Sequence, residues 1–205
     1  MLAVSSSLTV WYIARSTGII AWLLLVLSIA SGLLLATRAL GRRMPPWYLL
    51  GLHRWLSGLA VTFTAIHVVA ILADTFVGFS LVDVLVPFAS SWHPITLAGG
   101  VIAMYLMIAV QITSFARRRL PAQVWRQIHL VSYATFAFAS LHFIADGTDA
   151  MRFVAAPVAV LLGAASIGVG VCAWLARVEK PPSRAASLAG VQATRDARSA
   201  TTAPR

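Results

Sequence analysis

Acidic side chains are scarce. Six Asp and Glu stand against 16 Lys and Arg in 205 residues, and only 11% of the chain is charged. A soluble domain carries about a quarter charged residues, so this composition excludes a free-standing soluble globule. Cysteine occurs once, as Cys172 inside an apolar run. No disulfide can close within the chain, and no Cys-x-x-Cys-His run is present for covalent haem attachment. Cys172 reads as a small packing residue. No positive cluster precedes the first apolar run. Arg38, Arg42 and Arg43 follow it instead, which makes that run a span rather than a cleaved leader. The formal net charge is +10. Its carriers sit in short loops and a tail rather than on a soluble basic face, so the excess sets membrane orientation and no nucleic-acid partner is expected.

Apolar residues dominate what remains, at 60% of the chain with a mean hydropathy of +0.85. Five runs reach the length of about 20 residues that a bilayer core demands. They are Gly18 to Ala36 (with an alternative start near Leu8), Trp47 to Ala73, Ile95 to Phe115, Trp125 to Ile144 and Phe153 to Leu175. Backbone groups in lipid must satisfy one another, so all five are expected as helices. The fold class is an all-α integral membrane bundle of about five transmembrane helices. Trp47, Trp92, Trp125 and Trp174 fall near run ends, where indole favours the interface.

Loop charge alternates. Arg38, Arg42 and Arg43 follow run one, Arg117, Arg118, Arg119 and Arg126 lie between runs three and four, and Arg177, Lys180 and Arg184 follow run five. The other loops carry Asp74 and Asp83, then Asp146 and Asp149 with Arg152. The positive-inside rule puts the amino terminus outside and the carboxyl terminus in the cytoplasm of a multi-pass cell-membrane protein. The preference for Arg over Lys fits a GC-rich bacterial genome. From about Glu179 the chain turns to Pro, Ser, Ala, Thr and Arg, reads as a disordered tail, and offers no glycine-rich phosphate loop.

Ionisable groups inside spans are the informative ones. His53 and His67 lie in the second run, His129 and His142 in the fourth. These two runs point the same way across the membrane. The spacings of 14 and 13 residues correspond to axial offsets of about 21 and about 20 Å. His53 therefore matches His129 in depth, and His67 matches His142. Imidazole is an axial ligand of haem iron, so two layers of histidines predict two stacked b-type haems, held without covalent links. For any single histidine an interhelical hydrogen bond is the plainer role; four at matched heights favour ligation. One feature resists: at about 100° per residue, 14 steps return to within about 40° of one face, whereas 13 steps miss by about 140°. The fourth helix must be locally distorted or present its two histidines at different angles.

The segments W-Y-I-A-R-S-T-G at Trp11 to Gly18, L-H-R at Leu52 to Arg54, I-H at Ile66 and His67, W-R-Q-I-H at Trp125 to His129 and L-H-F at Leu141 to Phe143 resemble the ferric reductase-like transmembrane domain. That is the haem-bearing membrane unit of ferric reductases and NADPH oxidases. The likeness covers roughly Trp11 to Leu175, and its most specific element is the pairing of histidines with 13 and 12 residues between them. The resemblance implies His53 with His129 and His67 with His142 as the haem-iron ligands. It implies electron transfer from a cytoplasmic donor, such as a flavoprotein, to an extracytoplasmic acceptor such as ferric iron. It divides the chain into an extracytoplasmic segment (1–17), the haem domain (18–176) and a cytoplasmic tail (177–205). Full-length relatives continue into a flavin- and NADPH-binding module. Here only the tail follows, so no flavin or NADPH site is expected, and the chain is read as the electron-conducting component rather than a complete reductase.

Arg54 and Arg126 flank the inner layer and are candidates for pairing with haem propionates, or are ordinary positive-inside anchors. His93 is a helix-start residue or a contact for the outer propionates or acceptor. Gly51, Gly58, Gly99 and Gly100 are candidates for close approach of helices or porphyrin. Two other functions stay open. One is a haem subunit serving a separate extracytoplasmic reductase, as in methionine sulfoxide reductase systems; the other is a non-redox transporter or scaffold.

Overall fold

The computed structural model describes residues 2–38, 44–75, 77–146, 156–158, 160–163, 165 and 192. The chain falls into two compact units, Met1–Ser166 and Ile167–Arg205, and the account below concerns the first. Five α-helices are described: α1 (Leu2–Thr37), α2 (Pro46–Ala73), the short α3 (Leu81–Leu85), α4 (Pro94–Phe115) and α5 (Ala122–Asp146), with a 3-10 turn at Ala116–Arg119 before α5. Four helical stretches are long and apolar enough to cross a membrane: Leu8–Thr37, Pro46–Ala73, Pro94–Arg119 and Ala122–Asp146. They match the first four apolar runs. The fifth run, at 153–175, lies outside the described residues apart from helical pieces between 156 and 165. Cys172, Trp174 and nearly all of the 177–205 tail lie outside them too.

Proline places several boundaries. Pro46 and Pro94 each occupy a first-turn position, where a missing N–H removes no helical hydrogen bond. Pro121 precedes α5, and its carbonyl accepts from the Trp125 amide at 3.0 Å. Of the two starts that the sequence left open for the first run, the apolar helix takes the earlier one, near Leu8. α1 runs through residues 2–17, and its apolar span opens at Leu8. The segment read as lying before the membrane is thereby helical, and Arg15 falls within the span. The choice was open in the sequence because Ser5, Ser6, Ser7 and Arg15 dilute the apolar character of the first turns.

α1 packs along α2 and also touches α5, while α4 packs along α5 and also touches α2. α1 and α2 are antiparallel, since Gly18 lies against His67 and Gly32 against His53. α4 and α5 are antiparallel as well, with Gly100 against His142. The bundle is thus two hairpins whose second helices, α2 and α5, run the same way. These two carry the four histidines, and α2 packs mainly on α1 and α5 mainly on α4 rather than on one another. Between α1 and α5 the Trp22 indole donates to the Ser140 hydroxyl at 3.0 Å, and Trp22 stacks on Phe143 with centroids 4.8 Å apart. Large apolar side chains face outward along the bundle, among them Ile95, Phe115 and Val69, as a lipid-facing surface requires. At one end, Ser80 and Asp83 form a capping box on α3. The Ser80 hydroxyl, and then its amide, hold the Asp83 carboxyl below the ordinary carboxylate range.

Candidate functional site

The histidines meet at two levels. At the basic end, near Arg54 and the arginine-rich 3-10 turn, the rings of His53 and His129 lie 6.0 Å apart, centre to centre, at 75°. At the acidic end, near Asp74 and Asp146, His67 and His142 both line one cavity of about 340 Å³. His53 and His129 are thus neighbours, whereas His67 and His142 share a cavity.

Three of the four imidazoles sit in the same kind of seat. His67 donates from Nδ1 to the Ala14 carbonyl at 2.6 Å, and a Cβ on Gly18 would lie 2.9 Å from its ring. His53 Nδ1 lies 2.9 Å from the Ser28 carbonyl, and a Cβ on Gly32 would lie 3.2 Å from its ring. His142 Nδ1 lies 3.0 Å from the Thr96 carbonyl, and a Cβ on Gly100 would lie 3.0 Å away. In every case the carbonyl belongs to the residue four before the glycine, one turn earlier on the neighbouring helix. The missing side chain leaves the ring room to reach that carbonyl, with the least tolerance at Gly18. A carbonyl can only accept, so each Nδ1 carries the proton and each Nε2 keeps its lone pair. The neighbouring helices thus leave three imidazoles in the tautomer that binds a metal through Nε2.

His129 is the exception. Its Nδ1 is buried without a hydrogen-bond partner. Its ring stacks on Trp125 at 5.0 Å and 21°, and the Arg117 guanidinium lies over Trp125 at 4.5 Å. α5 is one continuous α-helix from Ala122 to Asp146, so the 13-residue spacing is absorbed by direction, not by distortion. His142 backs onto α4, whereas His129 points elsewhere and loses that support.

The cavity is lined mainly by apolar groups, with Trp11, Trp22 and Phe143 beside the histidines and Arg15 and Asp146 among its polar walls. Arg15 also lies over the Trp11 ring at 4.8 Å. The sequence reading passed over Arg15 because it placed the residue outside the first span. Its signal was available, as a lone cation in an otherwise apolar helix. It also passed over Gly18, Gly32 and Asp146. Gly18 and Gly32 are 14 apart, the same interval as His53 and His67 on the antiparallel partner.

Of the four glycines singled out by sequence, Gly100 is a seat and Gly99 makes an ordinary contact with the Phe138 carbonyl at 3.6 Å. At Gly51 and Gly58 a Cβ would meet nothing within 4 Å, so neither serves close approach within this chain. Arg54 and Arg126 are exposed beside the His53–His129 level. His93 caps α4 in a left-handed conformation, φ 43°, and its Nδ1 lies 2.9 Å from Asp146 Oδ1.

The family described as "Ferric reductase like transmembrane component" matches residues 17–141, more than half of the chain and all four histidines but His142, which falls one residue beyond. No curated protein and no solved structure matches the chain.

Proposed function

Because the chain belongs to the ferric reductase-like transmembrane component family, we propose that it carries electrons across a membrane on two b-type haems. His53 and His129 hold one, and His67 and His142 hold the other. The observation that carries this reading is the approach of the His53 and His129 rings to 6.0 Å, centre to centre, from two parallel helices. The carbonyl seats support it too, since ligating histidines regularly donate their second nitrogen to a carbonyl or carboxylate. The cavity at the other level lies within the range of about 300–1,000 Å³ usual for small-molecule sites, and its apolar walls suit a porphyrin.

When bound, haem supplies a one-electron Fe(III)/Fe(II) couple. The chain's own residues do the rest. Ala14, Ser28 and Thr96 fix the ligand tautomers through their carbonyls, and Gly18, Gly32 and Gly100 leave room for the rings. Trp22, stacked on Phe143, helps to keep water from the cavity. Arg54 and Arg126 at one level, and Arg15 at the other, are the cations placed to pair with propionates. By the positive-inside rule the basic end faces the cytoplasm and a donor such as a flavoprotein. The acidic end faces an outside acceptor, and ferric iron is the one that the family description names.

The test is haem content. A pyridine haemochrome assay on purified protein is expected to give two b-type haems per chain, both extractable by acid–acetone. His67→Leu and His142→Leu are expected to lose the same spectral component, and His53→Leu and His129→Leu the other. A folded preparation with no haem overturns the reading, and a shared loss between His67→Leu and His129→Leu overturns the pairing.

A further inference from the structure

Asp146 ends α5 four residues after His142 and is bound from three sides. Its Oδ1 accepts from His93 Nδ1 at 2.9 Å and from the Thr96 hydroxyl at 2.8 Å. Its Oδ2 is buried and lies 2.9 Å from His142 Nδ1. The Nδ1 proton itself is directed at the Thr96 carbonyl, 3.0 Å away, so Oδ2 stands beside the imidazole without a hydrogen bond of its own. His93 and Thr96 thus clamp a carboxylate so that one oxygen must rest against the ring of His142. The position is not explained by helix stability: a carboxylate in the last turn of a helix faces the negative end of the macrodipole.

We infer that Asp146 is a positioning and potential-setting residue for the outer haem, acting through His142, with His93 as its clamp. This rests on the two-haem reading above. A negative charge beside an axial imidazole stabilises ferric over ferrous iron, because the ferric state bears one more positive charge, and so lowers the potential. The inner level has the opposite surroundings. His129 Nδ1 has no acceptor, and the charge stacked behind that ring is the Arg117 guanidinium over Trp125. Asp146 therefore pulls the outer haem toward lower potential, against the Arg15 cation in the same cavity, so that transfer from the inner haem is drawn forward by the external acceptor rather than by the haem-to-haem step. The role of His93 follows as well: its exposed imidazole serves the carboxylate and is not a fifth iron ligand.

Potentiometric titration of purified Asp146→Asn, followed by visible spectra, tests the inference. Asn keeps the size and removes the charge. The expected result is a reduction equilibrium shifted about tenfold toward ferrous iron, an upward move of about 59 mV for a one-electron couple. The shift should be confined to the spectral component that His142→Leu lacks, and Arg118→Gln, exposed at the other end of the bundle, should leave that component in place. His93→Gln is expected to shift the same component in the same direction by less. Two haems with unchanged potentials in Asp146→Asn overturn the inference and leave the two-haem reading standing; a wild-type protein without haem overturns both. Should Asp146→Asn lose its outer haem, Asp146→Glu decides. Recovery of that haem at its original potential with Glu supports the charge role. Equal loss with Glu makes Asp146 a packing residue and overturns the inference.

Discussion

At the scale of single residues, a proposed ligand is made by the group behind it as much as by its own type. Gly18 shows how narrow the tolerance is. A Cβ there would lie 2.9 Å from both Nδ1 and Cε1 of His67, closer than real side chains come, so the imidazole is the group that has to move. Gly18→Ala must therefore push His67 off the Ala14 carbonyl. Loss of such outer-shell support typically costs about 10–100-fold in metal affinity. Gly18→Ala and Gly100→Ala are expected to reduce outer-haem occupancy with the inner haem kept, and Gly32→Ala to weaken the inner haem more mildly. Gly58→Ala, where a Cβ meets nothing, should bind both. Haem-to-protein ratios of the four variants check this, and equal occupancy in Gly18→Ala and Gly58→Ala would refute the seat. The histidines were legible in the sequence because an ionisable group in an apolar run stands out. The seats were not. Every residue has a carbonyl, and glycine is common in membrane helices, so neither half announces itself until the neighbouring helix is in place.

At the scale of helices, spacing decided which histidine gets a seat. Fourteen residues separate His53 from His67 and also Gly18 from Gly32, so α1 offers the same support twice to α2. Thirteen residues on α5 break that repeat by roughly 140°, and His129 is left to Trp125. The mismatch was visible in the sequence, but not its resolution, because rotation about one helix has meaning only against the helix it faces. The existence of the first four long apolar helices was more legible, since run length depends on lipid rather than on packing partners. The Trp22–Ser140 bond shows the contrast: an interhelical hydrogen bond in lipid contributes only about 0.6 kcal/mol on average, too little to leave a pattern in sequence. Loop charge carries a prediction of its own. On a Cys172→Ser background, a cysteine replacing exposed Val82 should react with an impermeant maleimide in intact cells. Val82 is preferable to Asp83, which serves the α3 capping box. A cysteine at Arg118 should react only after permeabilisation. The opposite pattern would invert the orientation.

At the scale of the whole molecule, the two ends differ in charge and in construction. The basic end brings Arg117, Trp125 and His129 into one stack from the surface inward. The acidic end opens as the cavity that holds His67 and His142. Such polarity gives an electron carrier an entry and an exit, but a nicotinamide gives up two electrons as hydride. Splitting that pair needs a flavin or an equivalent two-electron acceptor, whereas a haem couple takes one electron at a time. The described helices present imidazole, indole and apolar walls to their sites. Purified protein under argon is therefore expected to be reduced fully by dithionite, with both haem components shifting to their ferrous spectra. NADPH alone should leave the spectrum unchanged over the same interval. Addition of a flavoprotein that accepts hydride from NADPH and releases single electrons should restore reduction, and His53→Leu or His129→Leu should abolish that restored reduction while leaving the outer component reducible by dithionite. Prompt reduction of the isolated chain by NADPH would show that it binds the nicotinamide itself, and the assignment of hydride chemistry to a partner would have to be abandoned.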